Sequence, residues 1–146
     1  MVQPKKQVFI QLKTVINDTG EIEKNEVKFS GVFSQKGSLD VLTYKENLED
    51  QGEVSTLITI QPDKVSIKRT GIVSMHQQFR IGRVTENVYQ HPHGNIHMET
   101  LTDKASYTPL EKGESGNLQL GYTTKLNGQN ERKHTLDLAF TEEDAQ

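Results

Sequence analysis

The chain has 146 residues, a formal net charge of −3 and no cysteine. This length is typical of a single domain spanning residues 1–146, and it is sufficient to bury a core. The absence of cysteine excludes disulfides, thiolate metal sites and cysteine nucleophiles. The 17 lysines and arginines are scattered rather than clustered, which argues against a nucleic-acid partner.

The composition favours β-structure. The chain contains 9 Ile, 11 Val and 14 Thr but only 3 Ala, the best helix former. Its amino-terminal stretch MVQPKKQVFIQLK has no apolar run long enough for a signal peptide or a membrane span. We therefore expect an all-β protein of the cytoplasm that makes no contact with a membrane.

The first half of the chain alternates apolar and polar residues with the period of a strand. The predicted strands are VFIQLKTVI, EVKFSGVFS, SLDVLTYKE, EVSTLITIQ and KVSIKR. In EVKFSGVFS the alternation predicts that Val27 shares the core-facing side with Phe29 and Phe33. SLDVLTYKE is ambiguous, because Leu39 and Val41 occupy one face and Leu42 and Tyr44 the other.

The second half continues the alternation in RVTENVY, NIHMETLT, NLQLGYTTKL and RKHTLDLAF. Pro62 and Asn127-Gly128 are typical of tight turns between such strands. The longest predicted loop spans 103–116. Within it, TPLE predicts at most one short helical turn near 108–112, since Thr108 can cap and Pro109 can open it.

The pattern predicts about eight to ten antiparallel strands joined by short hairpins. The edge strands of such a sheet must be protected from pairing with other chains. Hairpin connectivity favours a single closed antiparallel β-barrel over a sandwich. A barrel of about eight strands is either filled by side chains or wide enough for one small ligand.

The stretch RTGIVSMHQQFRIG places Arg69, Met75, Gln77 and Phe79 on one face of the sheet, provided that the turn near Gly71 does not exchange the faces. A buried guanidinium or amide without a partner is costly. Arg69 therefore pairs with a barrel carboxylate, for which Glu86 and Glu99 are the candidates, or else it faces a cavity. In the second case the candidate ligand-binding residues are Arg69, Met75, Gln77, Phe79 and Tyr89.

No motif indicates catalysis or a cofactor. The three histidines of YQHPHGNIH are spaced closely enough to suggest a metal site. However, Pro92 and Gly94 predict that they lie at a hairpin tip, where polar residues are solvated. We therefore predict no metal site. The chain has no nucleophile elbow, no phosphate-binding glycine loop and no His-Glu-x-x-His pair, so no residue is assigned a catalytic role.

The central segment carries the spaced pattern R-x-G-x-V-x-M-x-Q-x-F-x-x-G from Arg69 to Gly82. This pattern resembles the central motif of the YwiB-like proteins, small bacterial β-barrels. Weaker similarities occur along nearly the whole chain, at GVF, LTYKE and LQLGY, whereas HPHGNIH departs from the family pattern. The resemblance implies a closed lipocalin-like, or calycin-like, barrel in the cytoplasm, and it implies no activity.

The leading functional hypothesis is non-enzymatic binding of a small, partly apolar ligand inside the barrel. The alternative is a filled structural barrel that binds a protein partner, including a second copy of itself. Enzyme activity is the third hypothesis and has no supporting residues.

Overall fold

The computed structural model describes residues 5–48, 52–110 and 115–143. These residues form ten strands and no helix. The strands are β1 (Lys6–Asp18), β2 (Glu21–Lys36), β3 (Leu39–Leu48), β4 (Gly52–Ile60), β5 (Val65–Gly71), β6 (Met75–Phe79), β7 (Val84–His91), β8 (Gly94–Thr108), β9 (Ser115–Leu126) and β10 (Glu131–Glu142). Across the described part of the chain, no helix is long and apolar enough to span a membrane.

All ten strands belong to one antiparallel sheet, with the order β6-β5-β4-β3-β2-β1-β10-β9-β8-β7. Every neighbouring pair in this order is joined by a hairpin except β1 and β10, which are the first and last strands. The predicted all-β class, strand number and hairpin connectivity are confirmed.

The sheet curls until β6 meets β7 and β8, and we call this meeting line the seam. At the seam Ser74 and Gln90 exchange backbone hydrogen bonds of 3.0 and 2.8 Å, and Gly82 N–H donates to the Thr102 carbonyl at 2.8 Å. These contacts are isolated bridges rather than a continuous ladder. The barrel is therefore nearly closed, and the seam is its weakest line of backbone pairing.

The turns follow the local chemistry of the sequence. Asn127 and Gly128 both have positive φ, of 52° and 71°, which suits the tight β9–β10 turn that the Asn-Gly pair predicts. Gly71 has a φ of 138°, and a Cβ at this position would lie 2.2 Å from the Glu53 carbonyl oxygen. Only glycine fits there. The β5–β6 turn spans 70–74, and Arg69 pairs with Met75, so the face of the strand is kept as predicted.

The structure resolves the ambiguous facing of β3. Leu42 and Tyr44 are buried, at 1% and 7% exposure, so their side of β3 faces the core. Leu39 and Val41 lie on the opposite side and are only partly buried. Val27 shares the face of Phe29 and Phe33, as predicted, but its side chain is 43% exposed. The reason is that β2 pairs with β3 only over 31–36, so the first half of β2 has β1 alone beside it.

The predicted loop 103–116 is shorter than expected, since β8 continues to Thr108 and β9 begins at Ser115. Pro109 and Leu110 follow β8 without helical structure. The rest of the helical turn predicted near 108–112 lies outside the described residues.

Candidate functional site

The interior of the barrel differs between its two ends. At the filled end, inward-facing side chains are almost completely buried: Val8, Ile10, Phe33, Leu42, Ile58, Val65, Phe79, Leu118, Leu138 and Phe140 are each at most 4% exposed. At the open end, the inward face is mixed: Val54, Thr56, Thr100 and Thr124 are buried. Other inward-facing side chains there are only partly buried: Leu12, Phe29, Glu46, Arg69, Met75, Tyr89, Met98, Tyr122 and His134. Solvent therefore reaches the inner wall at the open end.

Arg69 lies at the open end and pairs with Glu46. Its Nη2 donates to Glu46 Oε1 at 3.3 Å, and the two side chains are 24% and 23% exposed. Thr56 Oγ1 donates to the same carboxylate oxygen at 3.5 Å. The internal partner is thus a barrel carboxylate, but Glu86 and Glu99 were the wrong candidates.

The Arg69–Glu46 contact leaves unused hydrogen-bonding capacity. A guanidinium has five N–H donors and a carboxylate has two oxygens, whereas this pair uses one nitrogen and one oxygen. Tyr44 lies beside the pair, and burial together with the negative charge of Glu46 raises its pKa to about 12. Tyr44 therefore stays a neutral phenol, and its ring stacks on Phe29 at a centroid distance of 4.5 Å.

Gln77 lies deeper in the barrel than Arg69, at 5% exposure, and its side chain has a structural role. Its Nε2 donates to Thr100 Oγ1 at 2.9 Å, which joins β6 to β8 across the seam. Thr85 Oγ1 donates to the Gln78 carbonyl at 2.6 Å and joins β7 to β6. These side-chain bonds supplement the sparse backbone bridges, which explains an amide among core residues.

The other predicted site residues divide between the two ends. Met75 is the register partner of Arg69 and is half-buried. Tyr89 is half-buried on β7, and its ring lies 6.1 Å from that of His91. Phe79 is 1% exposed and contacts Tyr122 edge-on at 4.8 Å. Arg69, Met75 and Tyr89 therefore belong to the open end, while Phe79 belongs to the filled end.

On the wall built by β9 and β10, the structure adds His134, which was not among the predicted site residues. The ring of His134 stacks on Tyr122 at 4.7 Å with an interplanar angle of 5°, and its Nε2 lies 2.8 Å from Thr124 Oγ1. Burial, with a smaller effect of Arg132, lowers the pKa of His134 to about 4. Burial raises the pKa of Tyr122 to about 12. Both rings are therefore neutral near pH 7. In the sequence, the alternation of Tyr122 with Leu120 and of His134 with Leu136 was the pattern that indicated their inward facing.

The histidine-rich hairpin tip is a turn at Pro92 and His93, as predicted. His97 lies on β8, and its Nε2 is 3.0 Å from Glu86 Oε1 at an exposed position. Within residues 5–48, 52–110 and 115–143, no three His, Cys, Asp or Glu side chains are placed to share a metal ion.

The fold and the partly open interior define a nearly closed, ten-stranded antiparallel β-barrel with one filled end. The chain belongs to the family described as Domain of unknown function (DUF1934), whose model matches residues 10–138. It is 27% identical over 133 residues to the uncharacterized β-barrel protein YwiB of Bacillus subtilis strain 168, covering 91% of this chain and 92% of that protein.

The crystal structure of the ywiB protein from Bacillus subtilis has the same fold. It superposes with a TM-score of 0.87 at 24% identity, over 98% of this chain and 96% of that one. The predicted resemblance to YwiB-like proteins is confirmed.

Proposed function

We propose that this protein is a calycin-like barrel that binds a small, partly apolar ligand at its open end without chemical conversion. The observation that carries the proposal is the exposure of inward-facing side chains around Arg69, in contrast to the complete burial of the equivalent positions at the filled end. Binding sites of small molecules are concave, mostly apolar and equipped with few polar groups. The family resemblance leads us to propose the cytoplasm as its location.

The polar anchors in this proposal are Arg69 and Glu46. Because Arg69 can only donate hydrogen bonds and Glu46 can only accept them, the pair suits a ligand group that does both, such as an amide or a hydroxyl beside a carbonyl. Because both side chains are partly exposed, a ligand can hydrogen-bond to the unused nitrogens of Arg69 and the unused oxygen of Glu46 without breaking the ion pair.

The walls in this proposal are aromatic on two sides. Phe29 and Tyr44 stack on one side, and Tyr122 and His134 stack on the other. Met75 and Tyr89 complete the wall near β6 and β7. Since aromatic faces favour planar rings, the expected ligand body is a planar ring system. Gln77 and Phe79 support this wall from below, through Thr100 and Tyr122.

The test is native mass spectrometry of protein purified without denaturation, compared with the denatured mass. A reproducible additional mass that is lost on unfolding is the expected result for the wild type. The charge-neutral double variant Glu46→Gln/Arg69→Met should lose this mass and remain folded, because removing both partners leaves no unpaired charge. The matched control is Lys68→Met, one residue away on the same strand and exposed on the outer face.

Retention of the mass by the double variant would contradict the proposed anchors. A wild-type protein that carries no additional mass, and that binds nothing from a cell extract of small molecules, would contradict the proposal itself.

The second candidate function, a protein-interaction barrel, is favoured by an apolar patch on the outer face near the seam. Val84 and Leu101 are register partners at 60% and 41% exposure, and Ile81 and Val88 lie close along the chain at 61% and 46%. Apolar surfaces of this kind are typical of interfaces. Self-association that depends on concentration in native mass spectra, and that Val84→Ser/Leu101→Ser abolishes, would support this candidate.

A further inference from the structure

A second recess lies at the filled end of the barrel, where the seam is incomplete. β7 pairs with β8 only from Gly94 to Leu101, so the remainder of β8 has β9 on one side and almost no backbone partner on the other. Among the described residues, the backbone bridge there is the hydrogen bond from Gly82 N–H to the Thr102 carbonyl. Beyond it the sheet leaves a recess of about 630 Å³ between β8 and the β4–β5 and β6–β7 turns.

Three cations line this recess: Lys64, Arg80 and Arg83. None of them forms an ion pair with a carboxylate in the described parts of the chain. The Nε atom of Arg80 is buried and has no hydrogen-bond partner among those residues. Such an orphaned donor is costly. Because this atom is closed to solvent, an anion in the recess would have to contact the other nitrogens of the Arg80 guanidinium.

The carboxylates of the recess form no ion pair with these cations in the described parts of the chain. Asp40 accepts a hydrogen bond of 2.5 Å from the Tyr107 hydroxyl and one of 3.2 Å from Gln35 Nε2. Burial and the hydrogen bond to Asp40 raise the pKa of Tyr107, so it remains a donor at neutral pH. Asp63 is exposed in the β4–β5 turn. The recess is thus lined by three cations and two carboxylates, so cations are in excess by one.

The floor of the recess is apolar. Ile81 and Ala105 line it with accessible apolar surface, and Ile60, Val65, Phe79 and Leu118 lie beneath at no more than 4% exposure. We propose that this recess is a second binding site, separate from the open end, for a small monocarboxylate with a compact apolar body. The carboxylate would lie against Arg80 and Arg83, because a guanidinium matches its two oxygens, and the body would contact the floor.

The test uses benzoate as the probe and two-dimensional ¹H–¹⁵N NMR of the full chain at low salt. Benzoate should shift the Nε–H signal of Arg80 and the backbone amides of the β6–β7 turn in a saturable manner. Arg83→Gln should raise the Kd of benzoate about tenfold, as expected for the loss of a charged hydrogen-bond donor. Arg83 is exposed, so this variant leaves the packing intact, and Arg80→Gln should have at least the same effect.

Two controls make the result specific. Lys125→Gln removes an exposed cation on β9 and should leave the Kd within about twofold, because Lys125 does not line the recess. Benzyl alcohol, which lacks the charge, should bind at least about tenfold more weakly than benzoate.

Three outcomes would overturn the proposal: no saturable shift with benzoate, unchanged affinity in Arg83→Gln, or inorganic phosphate binding as tightly as benzoate. The last would indicate an anion site to which the apolar floor contributes nothing. Because the Arg80 and Arg83 variants and the reporting NMR signals belong to the filled end, failure here leaves the proposal for the open end unaffected.

Discussion

The two ends of this barrel are built from the same strands but differ in the burial and polarity of their inward-facing side chains. At the filled end, large apolar side chains meet across the interior, as Phe33 and Phe140 do at 5.3 Å. At the open end, the inward positions of the same strands carry Glu46, Arg69 and His134, and they stay partly exposed. Stability therefore comes mainly from one end, while the other is free to carry polar groups that a closed core would exclude.

The largest expected difference compares two phenylalanines. Phe140→Ala should reduce the free energy of unfolding by about 3–5 kcal/mol, because the residue is 1% exposed and its loss leaves a cavity. Phe29→Ala should cost about 1–2 kcal/mol, since Phe29 is only partly buried at the open end. Urea unfolding followed by circular dichroism measures both. Equal costs would contradict the division into a filled and an open end.

The seam provides the next largest effect. Gln77→Leu should cost about 1–3 kcal/mol, because it leaves the buried Thr100 hydroxyl without its partner. The double variant Gln77→Leu/Thr100→Val should be more stable than the sum of the two single costs predicts. Gln78→Leu, on the opposite face, is the control and should change stability little. An additive double-mutant cycle would show that the amide does not join the seam.

Arg69→Met is expected to cost about 1 kcal/mol, because the pair with Glu46 is about a quarter exposed and partly screened. Adding Glu46→Gln should recover most of this loss. Thermal unfolding of the two variants and the wild type makes the comparison. A loss of several kcal/mol in the single variant would assign Arg69 to the structural core rather than to the open end.

The remaining prediction depends on pH. The pKa of His134 falls from its usual 6.5 to about 4 in the folded chain, so the unfolded chain binds the proton more readily. Stability should be unaffected above about pH 6.5 and should decline as the pH falls from 6.5 to 4. His134→Gln should flatten that part of the profile, whereas the exposed His76→Gln should not. An unchanged profile in His134→Gln would show that its ring is not shielded from water.

Much of the fold could be predicted from the sequence, because period-2 alternation is a local property of each strand. The inward facing of Arg69 and Gln77 follows from the same alternation and is confirmed. The partner of Arg69 could not be predicted, since it depends on which face of β3 is buried. Once Leu42 and Tyr44 face inward, Glu46 does so as well and meets Arg69 across β4, where Thr56 pairs with both Tyr44 and Arg69.

The open end was not predictable for a related reason. Its half-exposed inner wall results from the separation of β2 and β3 beyond Gly31, which a strand pattern does not encode. The stacking of Tyr122 and His134 likewise requires the β9–β10 register.

The pairing of β1 with β10 has a consequence for how the chain acquires this shape. These strands share eleven register pairs, from Val8 with Glu142 to Asp18 with Arg132, at the centre of the sheet. During synthesis β1 emerges first and β10 last of the ten, so β1 waits with one unpaired edge until all the other hairpins have left the ribosome. Non-local pairing of this kind slows folding and exposes an aggregation-prone edge. The central ladder of the finished sheet is thus the last to form, and the period before it forms is when the nascent chain most needs protection by chaperones.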